Sequence, residues 1–145
     1  MVNLPSAKDL QMRIAQIEGE RASAAMKAAA AAEAEKKAFL ERISKPSGFS
    51  DEQIMEKAAH IVERAASNGL TSVQVFRFPN HLCTDNGRAI DQAEMGWEKT
   101  LTGYAKEIYD FWKRQLESRG YRIKYEVIER KGGIRGDVGI FLSWD

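Results

Sequence analysis

The chain has 145 residues, with 22 Lys plus Arg against 21 Asp plus Glu and a formal net charge of +1. That length suits one modest domain with an appendage, and the even charge excludes a strongly basic, dedicated nucleic-acid binder. Residues 1–49 carry eight bases and six acids and residues 50–145 carry fourteen and fifteen, so neither part is strongly biased. Cys83 is the only cysteine, which excludes an intrachain disulfide and fits a reducing, cytoplasmic setting. No apolar run approaches the roughly 20 residues that span a bilayer, and the opening residues lack a basic stretch followed by an apolar one. A soluble chain without membrane contact or secretory leader is expected.

A long helix is predicted over residues 6 to about 44. Ser6 suits the N-cap, Pro5 precedes it, and Asp9 occupies the capping-box position. Asp9 with Arg13 and Glu33 with Lys37 are acid-before-base pairs four residues apart. The centre, residues 24–34, is mostly alanine, the best helix former. Leu10, Ile14, Ile17, Ala24, Ala28, Ala31 and Ala38 follow a 4-3 rhythm that Arg21 and Glu35 interrupt. The pattern fits a short coiled coil or an intramolecular packing face, and Gly19 marks a bend. Residues 1–45 therefore read as an oligomerisation or spacer helix, separated by Lys45-Pro46-Ser47-Gly48 from a compact domain at 46–145.

The second helix starts at a Ser50–Gln53 capping box with a Phe49–Ile54 staple and ends at Asn68-Gly69. Its apolar stripe is Ile54, Ala58, Ile61, Val62 and Ala65. A strand over 71–78, rich in β-branched and aromatic residues, stops at Pro79. An irregular stretch over 80–96 contains a short helical turn expected to start at Asp91, with Glu94 completing its capping box. The main helix is expected over 98–119, with Trp97 at its start and Gly120 as its cap. Two alternating strands follow over 121–129 and 137–144, joined by a Gly-rich hairpin tip. The order α-α-β-α-β-β implies an α+β fold, a two-layer sandwich on a small three-stranded mixed sheet. A helix joins the first two strands, so these should run in the same direction.

That topology locates a candidate site. Strands of common direction end at one edge of the sheet, where ligands tend to bind. The edge gathers Asn80, His81, Arg88, Arg130, Lys131, Arg135, Gly132 and Gly133. Its lean is cationic, and it suits an acidic protein segment or a phosphate-bearing ligand, with nucleic acid less favoured by the net charge. The Gly132 and Gly133 amides can turn towards an anion; alternatively these glycines and Asn86-Gly87 only supply positive φ for turns. Cys83, His81 and Asp85 suggest a nucleophile, base and orienting group, since i and i+2 side chains on an extended segment point the same way. No enzyme signature surrounds them, and the same three are too few for a metal centre. Phe76, Phe78 and Phe141, placed with Arg122 and Lys124 on the less buried sheet face, would form a base-stacking platform or a face covered by protein.

No cofactor fingerprint is present. The leading expectation is a non-enzymatic interaction or scaffold protein, a homo-oligomer through residues 6–44 that binds a partner with its α+β domain. The alternatives are a nucleic-acid or phosphate-ligand module using Arg88, Arg130, Lys131 and Arg135, and a small enzyme built on Cys83 and His81.

Overall fold

The computed structural model describes residues 3–145; Met1 and Val2, the first residues of the expected 1–45 segment, lie outside the described residues. The chain divides into an N-terminal unit ending at Glu41 and a compact unit, Arg42–Asp145. Among the described residues no helix is long and apolar enough to cross a membrane.

Helix α1, Ala7–Ile43, is one 37-residue element, about 55 Å long at 1.5 Å per residue. The Asp9 amide donates to Ser6 Oγ at 3.1 Å, so Ser6 caps the helix as its sequence implies. Gly19 lies within the uninterrupted helix.

The compact unit opens with α2, Asp51–Ser67, whose capping box is complete: the Ser50 amide donates to Gln53 Oε1 at 2.9 Å and the Gln53 amide to Ser50 Oγ at 3.2 Å. The helix closes with Leu70 N donating to Ala65 O and Gly69 N to Ala66 O, with Gly69 at φ +78°. This is the Schellman arrangement that a terminal glycine favours.

Three strands form the sheet: β1 (Ser72–Pro79), β2 (Arg122–Val127) and, after the small strands β3 (Arg130–Lys131) and β4 (Ile134–Arg135), β5 (Asp137–Ser143). Their order is β1-β5-β2, and β5 is antiparallel to both neighbours. β1 and β2 therefore run in the same direction, but β5 separates them. The ladders are all antiparallel rather than mixed, because the hairpin strand inserts between the two instead of flanking them.

One face of the sheet is packed. Val138 and Ile140 are 0% exposed and Leu142 is 3% exposed. A bulge shifts the β1 register between Gln74, opposite Phe141, and Phe76, opposite Ile140. The extra residue reverses the alternation. Phe76 and Phe78 thus lie on the packed face with Ile140 and Val138, whereas Phe141 lies on the other. The platform of three phenylalanines expected from strict alternation does not form.

The main helix begins later than its apolar pattern suggests. Trp97–Thr100 is a separate 3₁₀ turn, and α4 spans Gly103–Phe111. It continues as a π-helical turn, Trp112–Leu116, and a 3₁₀ turn, Glu117–Arg119, which Gly120 ends at φ +90°. The helix starts where the chain passes close to Ile43 and Ser44. A Cβ on Gly103 would collide with Ile43 O and lie 2.9 Å from Ser44 Cα, and Gly103 sits at φ +57°. The fully buried Ile43 occupies the space beside it.

Gly103→Ala is expected to destabilise the compact unit by about 3 kcal/mol, the upper end of overpacking costs, because backbone must move on both sides. Denaturant unfolding checks this, and a loss within ~0.5 kcal/mol would mean that the Ile43 contact yields without resistance.

Candidate functional site

The common direction of β1 and β2 brings the 80–96 loop and the 130–135 tip to one edge. Asn80 ties them together: its Nδ2 donates to Asn86 O and to Arg135 O, both at 3.1 Å. Asn86 and Gly87 take positive φ, 58° and 83°, and turn the chain into the short helix α3, Arg88–Asp91. Asp85 caps that turn, its two oxygens accepting from the Gly87 amide at 3.1 Å and the Ala89 amide at 2.9 Å. Asp91 ends α3 instead of starting a helix. Its carboxylate faces the tip, where it accepts from Arg130 and, at 2.8 Å, from Arg135 Nε.

Asn80, Arg130 and Arg135 are thus brought together, and the candidate cations are paired with neighbouring carboxylates. Arg130 and Arg135 share Asp91, and Arg88 binds Glu94 at 2.5 Å. Lys131 lies 3.7 Å from Glu129, with its side chain 88% exposed. The guanidinium groups of Arg130 and then Arg135 hold the Asp91 carboxyl below its ordinary range. Gly132 and Gly133, at φ +56° and +81°, form the two-residue turn between β3 and β4, as a type I′ hairpin requires. A polar hollow of about 460 Å³ remains between Asn80, Asn86, Asp91, Arg130, Gly133, Ile134 and Arg135.

His81, Cys83 and Asp85 do not converge in this way. Asn80–Leu82 is a 3₁₀ turn, not an extended segment, so residues two apart do not share a side. His81 is exposed, whereas Cys83 is buried at 2% exposure. Burial pushes the Cys83 thiol up to about 11, against a hydrogen bond from Thr100 that favours the thiolate. Among the described residues no group of three or more His, Cys, Asp or Glu is placed to hold a metal ion. Trp97, half-buried, packs against Tyr125 at 5.0 Å and Tyr109 at 5.6 Å between ring centroids. Tyr125 anchors this cluster by donating its hydroxyl to Ala105 O at 2.6 Å.

A second feature was not read from the sequence. An apolar groove of about 230 Å³ lies between α2, β1 and α4, lined by Ile54, Ala58, Ile61, Val75, Phe76, Tyr104, Ile108, Phe111, Trp112, Leu116 and Leu142. At its rim are Phe49, with Lys57 Nζ 3.9 Å from the ring centroid, and Glu107, which accepts from Ser47 Oγ at 2.6 Å. The π-helical turn supplies Trp112 and Leu116 to the wall, held by Trp112 Nε1 donating to Tyr121 O at 2.9 Å. Arg114 and Gln115 of the same turn bind Asp51 at 2.8 and 3.0 Å. The signal was the same set of stripes that reads as core; helix periodicity does not say whether facing stripes meet.

Comparison with protein-family models, with curated proteins and with solved structures returns no match.

Two measurements test this site. Alkylation of Cys83 in the folded chain near neutral pH is expected to be at least about a hundred-fold slower than that of a free thiol, since its thiolate is scarce below the raised value. Rapid alkylation would reopen the nucleophile assignment. For Asp91, the folded value is depressed, so the clamp is fully formed above the ordinary carboxyl value of 3.8 and is lost as pH falls through the folded value. Arg130→Ala should raise the Asp91 titration midpoint towards 3.8 and speed amide exchange in the tip. An unchanged midpoint would remove Arg130 from the clamp.

Proposed function

We propose that this chain is a non-enzymatic interaction or scaffold protein that self-associates through α1 and takes an apolar segment of a protein partner into the groove between α2, β1 and α4. One observation carries the reading: the charged groups of the loop edge are mostly engaged with each other, and apolar surface is left uncovered elsewhere. That surface comprises the groove and, on α1, Leu10, Ile14 and Ile17 at 40%, 55% and 41% exposure. Apolar patches left open in this way mark protein contacts. The groove volume of about 230 Å³ falls below the roughly 300–1,000 Å³ of small-molecule pockets, and suits one or two anchoring side chains of an amphipathic helix. The π-helical turn in its wall adds support, because such turns recur at functional sites. A cytoplasmic setting belongs to the same proposal, on the strength of a lone reduced thiol.

The second reading is a phosphate-ligand or nucleic-acid module at the edge, using Arg88, Arg130, Lys131 and Arg135. The hollow of about 460 Å³ favours it. Against it, an incoming anion has to displace Asp91 from two arginines and Glu94 from the third. An enzyme built on Cys83 and His81 has the least support, with the thiol buried and the imidazole outside.

Selection of helical peptides from a randomised library against the full chain tests the leading reading. Bound peptides are expected to carry apolar anchors three and four residues apart, to shift the amides of Ala58, Val75, Tyr104 and Ile108, and to lose about ten-fold in affinity with Phe49→Ala. A chain that selects no such peptide, yet shifts at residues 80–91 and 130–135 with nucleotides or short RNA, would transfer the function to the edge.

A further inference from the structure

Resting on the self-association reading, we propose that two copies of this chain pair through α1 in antiparallel orientation, crossing near Ala28, with Arg21 of each copy against Glu35 of the other. The exposed Leu10, Ile14 and Ile17 define a seam, and continuing its 4-3 spacing reaches two charged positions, Arg21 and Glu35. Among the described residues neither has an ion-pair partner within the chain.

A parallel, in-register pair sets every position against itself. Arg21 then faces Arg21 and Glu35 faces Glu35 on the contact seam, where like charges are desolvated together. Reversing one helix about Ala28 removes both conflicts at once. Arg21 lies seven residues before Ala28 and Glu35 seven after it; Glu20 lies eight before and Lys36 eight after. Each opposite-charge pair forms twice, as an isologous interface demands. With this centre no residue from 13 to 43 faces one of like charge. Residues 22–34, mostly alanine, form the crossing, and their small side chains let the helices approach closely enough for the flanking charges to meet.

The test uses the full chain with Cys83→Ser and a spin label at Met12→Cys or Met26→Cys, two outward positions 63% and 74% exposed. Antiparallel pairing predicts a short distance between labels at position 26 and about 45–50 Å at position 12, from 1.5 Å of rise per residue. Arg21→Glu and Glu35→Arg are each expected to weaken dimerisation about ten-fold or more in light scattering. The double variant should restore it, because reversing both signs preserves antiparallel pairs. Short distances at both positions, with no rescue by the double variant, would leave self-association standing and overturn the polarity. A chain that stays monomeric at millimolar concentration would overturn both the polarity and the self-association on which it rests.

Discussion

Strand β5 is the constraint from which the compact unit is built. It lies between β1 and β2, hydrogen-bonded to both in antiparallel sense, and its Val138, Ile140 and Leu142 are almost wholly buried. A central antiparallel strand forces its two neighbours into one direction. Both therefore end at the same edge, and the loops that follow them have to meet there. The packed face follows as well: residues in register with Val138, Ile140 and Leu142 lie on the helix-covered side. Gly139 belongs to the other side, where a Cβ would come within 2.9 Å of the Phe141 ring and 3.0 Å of Ile128. Phe141 thus lies over the backbone of its own strand.

The loop edge closes on itself because three carboxylates reach its four cations. Asp91 reaches two arginines, Glu94 a third and Glu129 the lysine. Arg77 adds a bridge from β1 to Glu129 at 3.0 Å and Asp137 at 2.8 Å. Exposed pairs of this kind contribute little to stability one by one. Their effect is to hold loop against tip and to lower the potential that an anion would meet. The groove has no equivalent closure. Its walls come from α2, β1 and the π-helical turn, whose side chains reach the same space without filling it.

Most of the fold was legible in local chemistry. Ser50–Gln53, Gly69 and Gly120 mark helix ends by the hydrogen bonds and positive φ they permit, and those signals need no tertiary information. The neighbourhood of the two loops also followed from strand order alone. Three features did not. The bulge at Val75 is one extra residue in an otherwise regular alternation, and only pairing with β5 exposes it. The break before Gly103 coincides with a contact to Ile43, sixty positions earlier in the chain. The pairing of Asp91 with Arg130 and Arg135 depends on where α3 ends, and a capping-box match placed that residue at a helix start instead. The meeting of the two loops was legible, therefore, but the pairing of their charges was not.

The composition of α1 bears on what kind of association it supports. Alanine gives rigidity and close approach but buries little apolar area, and hydrophobic stabilisation scales with area at about 25 cal/mol per Å². Leu10, Ile14 and Ile17 are the exposed large apolar residues of the seam, and they occupy only the first half of the helix. A pairing built this way is modest in strength, so its orientation depends on which arrangement is least unfavourable rather than on which is strongly favoured. Charges on the seam act in that role: they subtract from every register that opposes like to like. The proposed weak, oriented association would also change what the groove can do. In such a dimer two grooves would engage a partner with two apolar segments at an effective concentration set by their separation, so modest binding at each would become firm binding overall.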